Sequence, residues 1–264
     1  MKKTAILWLI ITFVFSCNTS NHKDNLIKTD LELKSLNGRI KSRQIKKANG
    51  DNTIEYFSKT GFYDSILTDE AKAIYTYGND NRIQTVKYFP RDSVSDTTVQ
   101  KFFWLNQQLT KIEKYSNDSL SMVFEKEYYD NDSIKSEITR NTTGTIVVKS
   151  DYTYSPNHTS VVMIRTRSDP NEKDQTFYGD YYYTEDKYTI KISSSYPHAA
   201  PHRTTYYLND DGLPDLMVTK NAKNIKNEIQ LQYEFDAYDN VSIIRNIDGD
   251  STIKTDSIFY EYYE

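Results

Sequence analysis

The chain has 264 residues, with 33 Lys and Arg against 37 Asp and Glu, for a formal charge of −4. Gly (8) and Pro (6) are too scarce for a collagen-like chain, and a single Cys cannot build a disulfide scaffold. The weak negative charge gives no reason to expect a nucleic-acid partner. Aromatics make up 14% of the chain and include 23 Tyr, while Asn and Asp number 20 and 24. Aromatic side chains favour strands, and Asn and Asp favour turns, so the composition predicts an all-β chain with many short connections.

The N-terminus reads as an address. Lys2 and Lys3 precede an apolar run from Ala5 to Phe15, which ends at Ser16-Cys17. That run is shorter than the ~20 residues a membrane-crossing helix needs, and its order is that of a secretory signal. The segment Val14-Phe15-Ser16-Cys17 resembles the lipobox of bacterial lipoproteins, with Phe15 bulkier than the residue usual at its position. The resemblance implies diacylglyceryl attachment to the Cys17 sulfur, cleavage before it, and acylation of the new amino group. Residues 1–16 are then a signal peptide, and the mature chain keeps 248 residues with a charge of −6. A lone thiol used for lipidation leaves the mature domain without disulfides. Each buried CH₂ of the acyl chains contributes about 0.8 kcal/mol, so several chains hold the protein stably on a membrane.

Residues 17–30 are polar beyond Cys17, lack periodicity, and read as a flexible tether. Asn18 stands where an Asp would, in enterobacteria, imply inner-membrane retention. The acidic cluster that marks surface export in Bacteroidota is missing after Cys17. The resemblance therefore implies a lipid anchor in the bacterial outer membrane, with the chain facing the periplasm.

From residue 31 to 264 one pattern recurs: an aromatic, a stretch of turn-formers, then an apolar residue six positions on. Its instances are Tyr56/Phe62, Tyr77/Ile83, Phe103/Leu109, Tyr128/Ile134, Tyr182/Tyr188, Tyr207/Leu213 and Phe235/Val241, with a weaker one at Tyr154/Ser160. Doublets such as Tyr128-Tyr129 and Tyr206-Tyr207 leave the register open by one residue. Period-two alternation flanks each turn, as in Ile74-Tyr75-Thr76-Tyr77 and Ile83-Gln84-Thr85-Val86, so each unit reads as a hairpin. The turns, such as Gly78-Asn79-Asp80-Asn81 and Asn209-Asp210-Asp211-Gly212, hold residues that accept positive φ. Eight units predict on the order of 15 strands, too many for a flat sheet. The predicted fold is a long antiparallel meander of repeated hairpins, curled into a partial barrel or folded into two layers.

The segment Tyr75-Thr76-Tyr77-Gly78-Asn79-Asp80-Asn81-Arg82-Ile83 resembles the YD repeat of Rhs-type proteins, with Asn81 in the place of the usual Gly. Phe235-Asp236-Ala237-Tyr238-Asp239-Asn240-Val241 is similar to a variant of uncharacterised Bacteroidota lipoproteins. Such proteins often open with a strand like Leu36-Asn37-Gly38-Arg39-Ile40-Lys41-Ser42. The resemblance implies a β-repeat envelope protein; the toxin function of Rhs shells does not carry over.

Candidate chemistry is sparse. His198 and His202 have helical ligand spacing, but Pro197 and Pro201 argue against a helix there. Asn209 to Asp215 and Asp130-Asn131-Asp132 suggest calcium ligands, yet both coincide with repeat turns and lack the rest of a calcium loop. No metal site and no cofactor is expected. No nucleophile-elbow, zinc-protease, P-loop or dinucleotide fingerprint is present, so no catalysis is expected. A triad assembled from distant residues would make an envelope hydrolase, which stays open as the competing class. Tyr rings can stack on sugars, and Tyr178, Tyr181 and Tyr183 in the run 178–183 are the candidate ligand-binding residues, with 259–263 as a second dense cluster. Cross-strand Tyr ladders that stabilise the sheet are the simpler use. The expected role is binding or scaffolding, with a membrane reached through the lipid and a glycan or envelope protein as partner.

Overall fold

The computed structural model describes residues 30–92, 96–156, 160–167, 175–184, 187–194, 202–210, 212–220, 226–248 and 251–264. A short helix, α1 (Asp30–Leu33), precedes β1 (Ile40–Lys46), β2 (Asn52–Phe57), β3 (Tyr63–Thr68), β4 (Ala71–Tyr77), β5 (Ile83–Pro90) and β6 (Thr98–Leu105). Next come β7 (Gln108–Ser116), β8 (Ser119–Tyr128), β9 (Ile134–Arg140), β10 (Ile146–Tyr154), β11 (Ser160–Arg167) and β12 (Gln175–Thr184). The chain ends with β13 (Lys187–Ser194), β14 (His202–Leu208), β15 (Pro214–Lys220), β16 (Lys226–Phe235), β17 (Val241–Asp248) and β18 (Ser251–Tyr262). The sheet is all antiparallel, and each strand pairs with the next in sequence. The meander of hairpins is thus as the sequence predicts, with 18 strands rather than about 15. Residues 36–39, read as part of an opening strand, lie before β1.

The curl carries the last strand back to the first. β18 pairs with β1 from Ser42↔Glu261 to Lys46↔Ser257, so both ends of the meander find a partner. The Tyr263 amide extends the ladder by donating to the Arg39 carbonyl at 2.8 Å, and its hydroxyl donates to the Phe57 carbonyl at 2.7 Å. Unpaired edge strands expose rows of amides and carbonyls, and this pairing occupies both edges.

The turns after β2, β4, β8, β14 and β16 share one geometry. After β4, the Gly78 amide donates to the Arg82 carbonyl and the Asn81 amide to the Gly78 carbonyl, with Asn81 at φ +61°. The same pair of hydrogen bonds recurs around Gly61, Asp132, Gly212 and Asp239, each at positive φ. Gly, Asn and Asp tolerate the left-handed region, which is why these residues mark the turns. A bulge follows in the flanking pairs Phe57↔Tyr63, Tyr77↔Ile83, Tyr128↔Ile134, Leu208↔Pro214 and Phe235↔Val241. Tyr128/Ile134 stands as read, and the true pair is one residue later than Tyr56/Phe62 and Tyr207/Leu213. At Phe103/Leu109 a two-residue turn, Asn106-Gln107, sets Trp104 opposite Leu109. An aromatic group from the next even-numbered strand then clasps the turn. Trp104 Nε1 donates to the Ile83 carbonyl, and the Tyr128, Tyr233 and Tyr260 hydroxyls donate to the carbonyls of Leu109, Pro214 and Val241.

The two faces differ in enclosure. One face carries Arg43, Glu55, Ile66, Ala73 and Tyr88 in successive strands. Its charged side chains are enclosed, with Glu55 8% and Arg43 12% exposed, against 64% and 54% for Glu261 and Lys41 on the other face. Side chains converge on a concave surface and diverge on a convex one, so we call the first face inner and the second outer. Helix α1 sits on the inner face at the end holding the turns after even-numbered strands. Leu31 packs with Ile40 and Phe57, surrounded by Leu36, Tyr63, Tyr260 and Tyr262. Lys34 and Arg43 both pair with Glu55, at 3.3 and 2.7 Å. Asp30 Oδ2 accepts from the Tyr63 amide at 2.7 Å and from the Tyr77 hydroxyl at 2.9 Å. The C-terminal cluster belongs to the same end: the Tyr262 hydroxyl donates to Asp236 and accepts from Asn240, whose side chain also holds the Asn37 backbone.

Two outcomes test this description. A β-branched residue at a left-handed turn position costs about 1–2 kcal/mol, so Asp239→Val should lower the urea midpoint while Asp239→Gly leaves it unchanged or raises it. Burial pushes the Asp30 carboxyl above its usual range, more than its hydrogen bonds and Lys34 pull it down. Its stabilising contribution is then complete below the unfolded pKa near ~3.9 and is lost as pH rises through the folded value. Asp30→Asn keeps the acceptor without the charge and should be the more stable protein at pH 7. That difference should vanish in urea titrations near pH 3.5.

Candidate functional site

On the outer face of β14–β16 lies a groove of about 250 Å³. The strand register builds it in three rungs. Arg203 lies opposite Lys220, and Lys220 opposite Lys226, which sets three cations side by side. The next rung is Thr205, Val218 and Glu228, and the third is Tyr207, Leu216 and Gln230. Thr205 and Val218 are buried at 7% each and form the floor, and Thr205 Oγ1 lies 3.1 Å from Thr189 Oγ1. The small side chains of Thr205 and Val218, with longer ones in the rungs on either side, are what make this face concave here.

The charges are only partly compensated. Glu228 pairs with Lys226 along the strand. Among the described residues, Arg203 and Lys220 make no ion pair, and both are exposed. Like charges directly opposite in an antiparallel ladder are destabilising. Tyr207, 37% exposed as a residue, closes the groove on the far side, and the Lys187 ammonium lies 5.9 Å from its ring centroid. Cations on one wall, a hydroxyl-bearing aromatic on the other and a threonine floor suit an anion with attached hydroxyl groups.

The sequence-nominated residues fall around this groove or elsewhere. Tyr178 is in β12, 46% exposed and on the same outer face, since Asp180 two residues on shares a rung with Arg203 through Lys191. The side chains of Tyr181 and Tyr183 lie outside the described residues, as do Cys17, the tether to residue 29, His198 and the His202 side chain. Of the second cluster, Tyr260, Tyr262 and Tyr263 are used by the fold, and among its aromatics only Phe259 is left exposed, with the Lys46 ammonium 5.2 Å from its ring centroid. The turn oxygens considered for calcium have other partners: Asn209 Oδ1 accepts from the Leu213 amide within its turn, and Asp132 Oδ1 accepts from the Gln108 side chain of β7. Among the described residues no three His, Cys, Asp or Glu side chains gather as a metal site, and no helix is long and apolar enough to cross a membrane. Arg203, Lys220 and Lys226 went unnoticed in the sequence because they are far apart along it. Counting outward from the Asn209–Gly212 turn sets Arg203 against Thr219, and only the bulge at Tyr207/Leu208 moves it opposite Lys220.

Relieving the like-charge rung should stabilise the fold. Lys220→Gln is expected to gain about 0.2–1 kcal/mol in urea at low ionic strength. The gain should disappear in 0.5 M NaCl, where such exposed charges are screened.

No protein-family profile matches the chain, and no curated protein matches it. Among solved structures, it is similar to a porin-like protein from Bacteroides uniformis, at 7% identity, over 84% of this chain and 98% of that one, with a TM-score of 0.49. A porin-like protein from Bacteroides vulgatus matches at 8% identity over 84% and 99%, with a TM-score of 0.45. The TcdB2-TccC3-Cdc42 structure matches at 11% identity over 74% of this chain and 13% of that one, with a TM-score of 0.31. None of these likenesses assigns an activity or an address to this chain.

Proposed function

We propose that this is a lipid-anchored protein of the bacterial cell envelope whose β ring binds or scaffolds and performs no catalysis. The observation that carries the binding role is the groove's lining. It offers Arg203, Lys220, Lys226, Thr205 and Tyr207, and its one carboxylate, Glu228, is committed to Lys226. Such a surface holds a ligand by charge and hydrogen bonds, and it presents no base paired with a nucleophile. Support for the envelope address comes from the apolar run ending at Cys17, the chain's sole cysteine.

In this reading Cys17 carries the lipid, residues 18–29 span the gap, and α1 enters the ring at the end holding the turns after even-numbered strands. That end faces the membrane. The Arg203–Lys220–Lys226 rung lies toward the opposite end, because Lys220 closes β15 and Lys226 opens β16. Exposed Tyr178 on the outer face of β12 supplies a second surface for a glycan.

The address is tested by fractionation. Wild type should sediment with outer membranes and incorporate labelled palmitate. Cys17→Ser should do neither, and a Cys17→Ser protein still in the membrane fraction would contradict the anchor.

A further inference from the structure

We propose that the β14–β16 groove is a binding site for an acidic oligosaccharide, a glycan chain bearing carboxylate or sulfate groups. The inference rests on the binding role above and names its ligand class.

Three cations in one rung span two strand spacings, about 10 Å, with Arg203 and Lys220 lacking any ionic partner among the described residues. A bound anion would relieve that repulsion, and an Arg fork accepts a carboxylate or sulfate through two parallel hydrogen bonds. The groove beside the rung is narrow and floored by Thr205 and Val218, which leaves room for a slender chain. On its other wall the Tyr207 ring is exposed, offering an apolar face to a pyranose and a hydroxyl to its hydrogen-bonding groups. A lipid surface fits less well, because the floor is recessed between the side chains that would have to touch headgroups. A nucleic acid needs cations following its backbone, and here a single rung stands on a chain of charge −4.

Titration calorimetry on the mature chain with the Cys17→Ser change would use oligogalacturonate and heparin oligosaccharides, with neutral dextran, inorganic sulfate, anionic phospholipid vesicles and a single-stranded oligonucleotide alongside. The expected result is binding to one or both acidic glycans that weakens at least tenfold in 0.5 M NaCl. The Arg203→Gln/Lys220→Gln protein should lose at least tenfold in affinity, and Tyr207→Ala should weaken glycan binding more than sulfate binding. A control, Lys72→Gln/Lys87→Gln, removes the same charge from the outer face of β4 and β5 and should change affinity less than twofold. Equal losses in the two double variants would overturn the site while leaving a binding role intact. Tighter binding to vesicles or to the oligonucleotide, or no binding to either acidic glycan, would overturn the ligand class.

Discussion

The pairing of β18 with β1 is the constraint on which the rest of this structure depends. A meander of 18 short strands has two ends, and each end would present an open row of amides and carbonyls. Joining them gives every strand two neighbours. It also sets curvature, and curvature makes one face concave and enclosed and the other convex and wet. The residues that reinforce the join are concentrated there: the Ser42 hydroxyl donates to Glu261, Tyr263 ties down Arg39 and Phe57, and α1 fills the inner face behind β1 and β2. Little of the inner face elsewhere is fully buried. Stability therefore comes mainly from ladders, clasped turns and half-buried aromatics rather than from one packed centre.

Fold class was legible in the sequence because hairpins are local. Alternation and positive-φ residues lie within about ten residues of each other, and Asn81, Gly212 and Asp239 occupy the turn positions their chemistry requires. The frame of each turn was less legible. In Tyr56-Phe57 and Tyr207-Leu208 either residue could face the turn, and only the bulge decides for the second. Closure was not legible at all, since β1 and β18 are some 200 residues apart and nothing periodic connects them. The roles of Asp30 and Leu31 escaped for a related reason: a four-residue helix has too little sequence to show a period.

The same division explains the tyrosines. Several of those described are fold residues: Tyr128, Tyr233 and Tyr260 clasp turns, while Tyr63 and Tyr77 enclose α1, where burial pushes their hydroxyls above the ordinary range. The surplus at the C-terminus dissolves into ring closure. Among the described residues Tyr178 and Tyr207 are exposed on the outer face, and the latter sits beside the cationic rung that no local pattern displayed. Three cations 17 and 6 residues apart become a site only through register, so this surface required the fold before it could be seen.

Hydrogen exchange tests the central claim most directly. In a joined ring the amides of β1 and β18 are bonded on both sides, so peptides covering 40–46 and 257–262 should exchange as slowly as those from β6 and β7. Exchange of alternate amides in either segment at the rate of the turns would show a free edge and contradict the account.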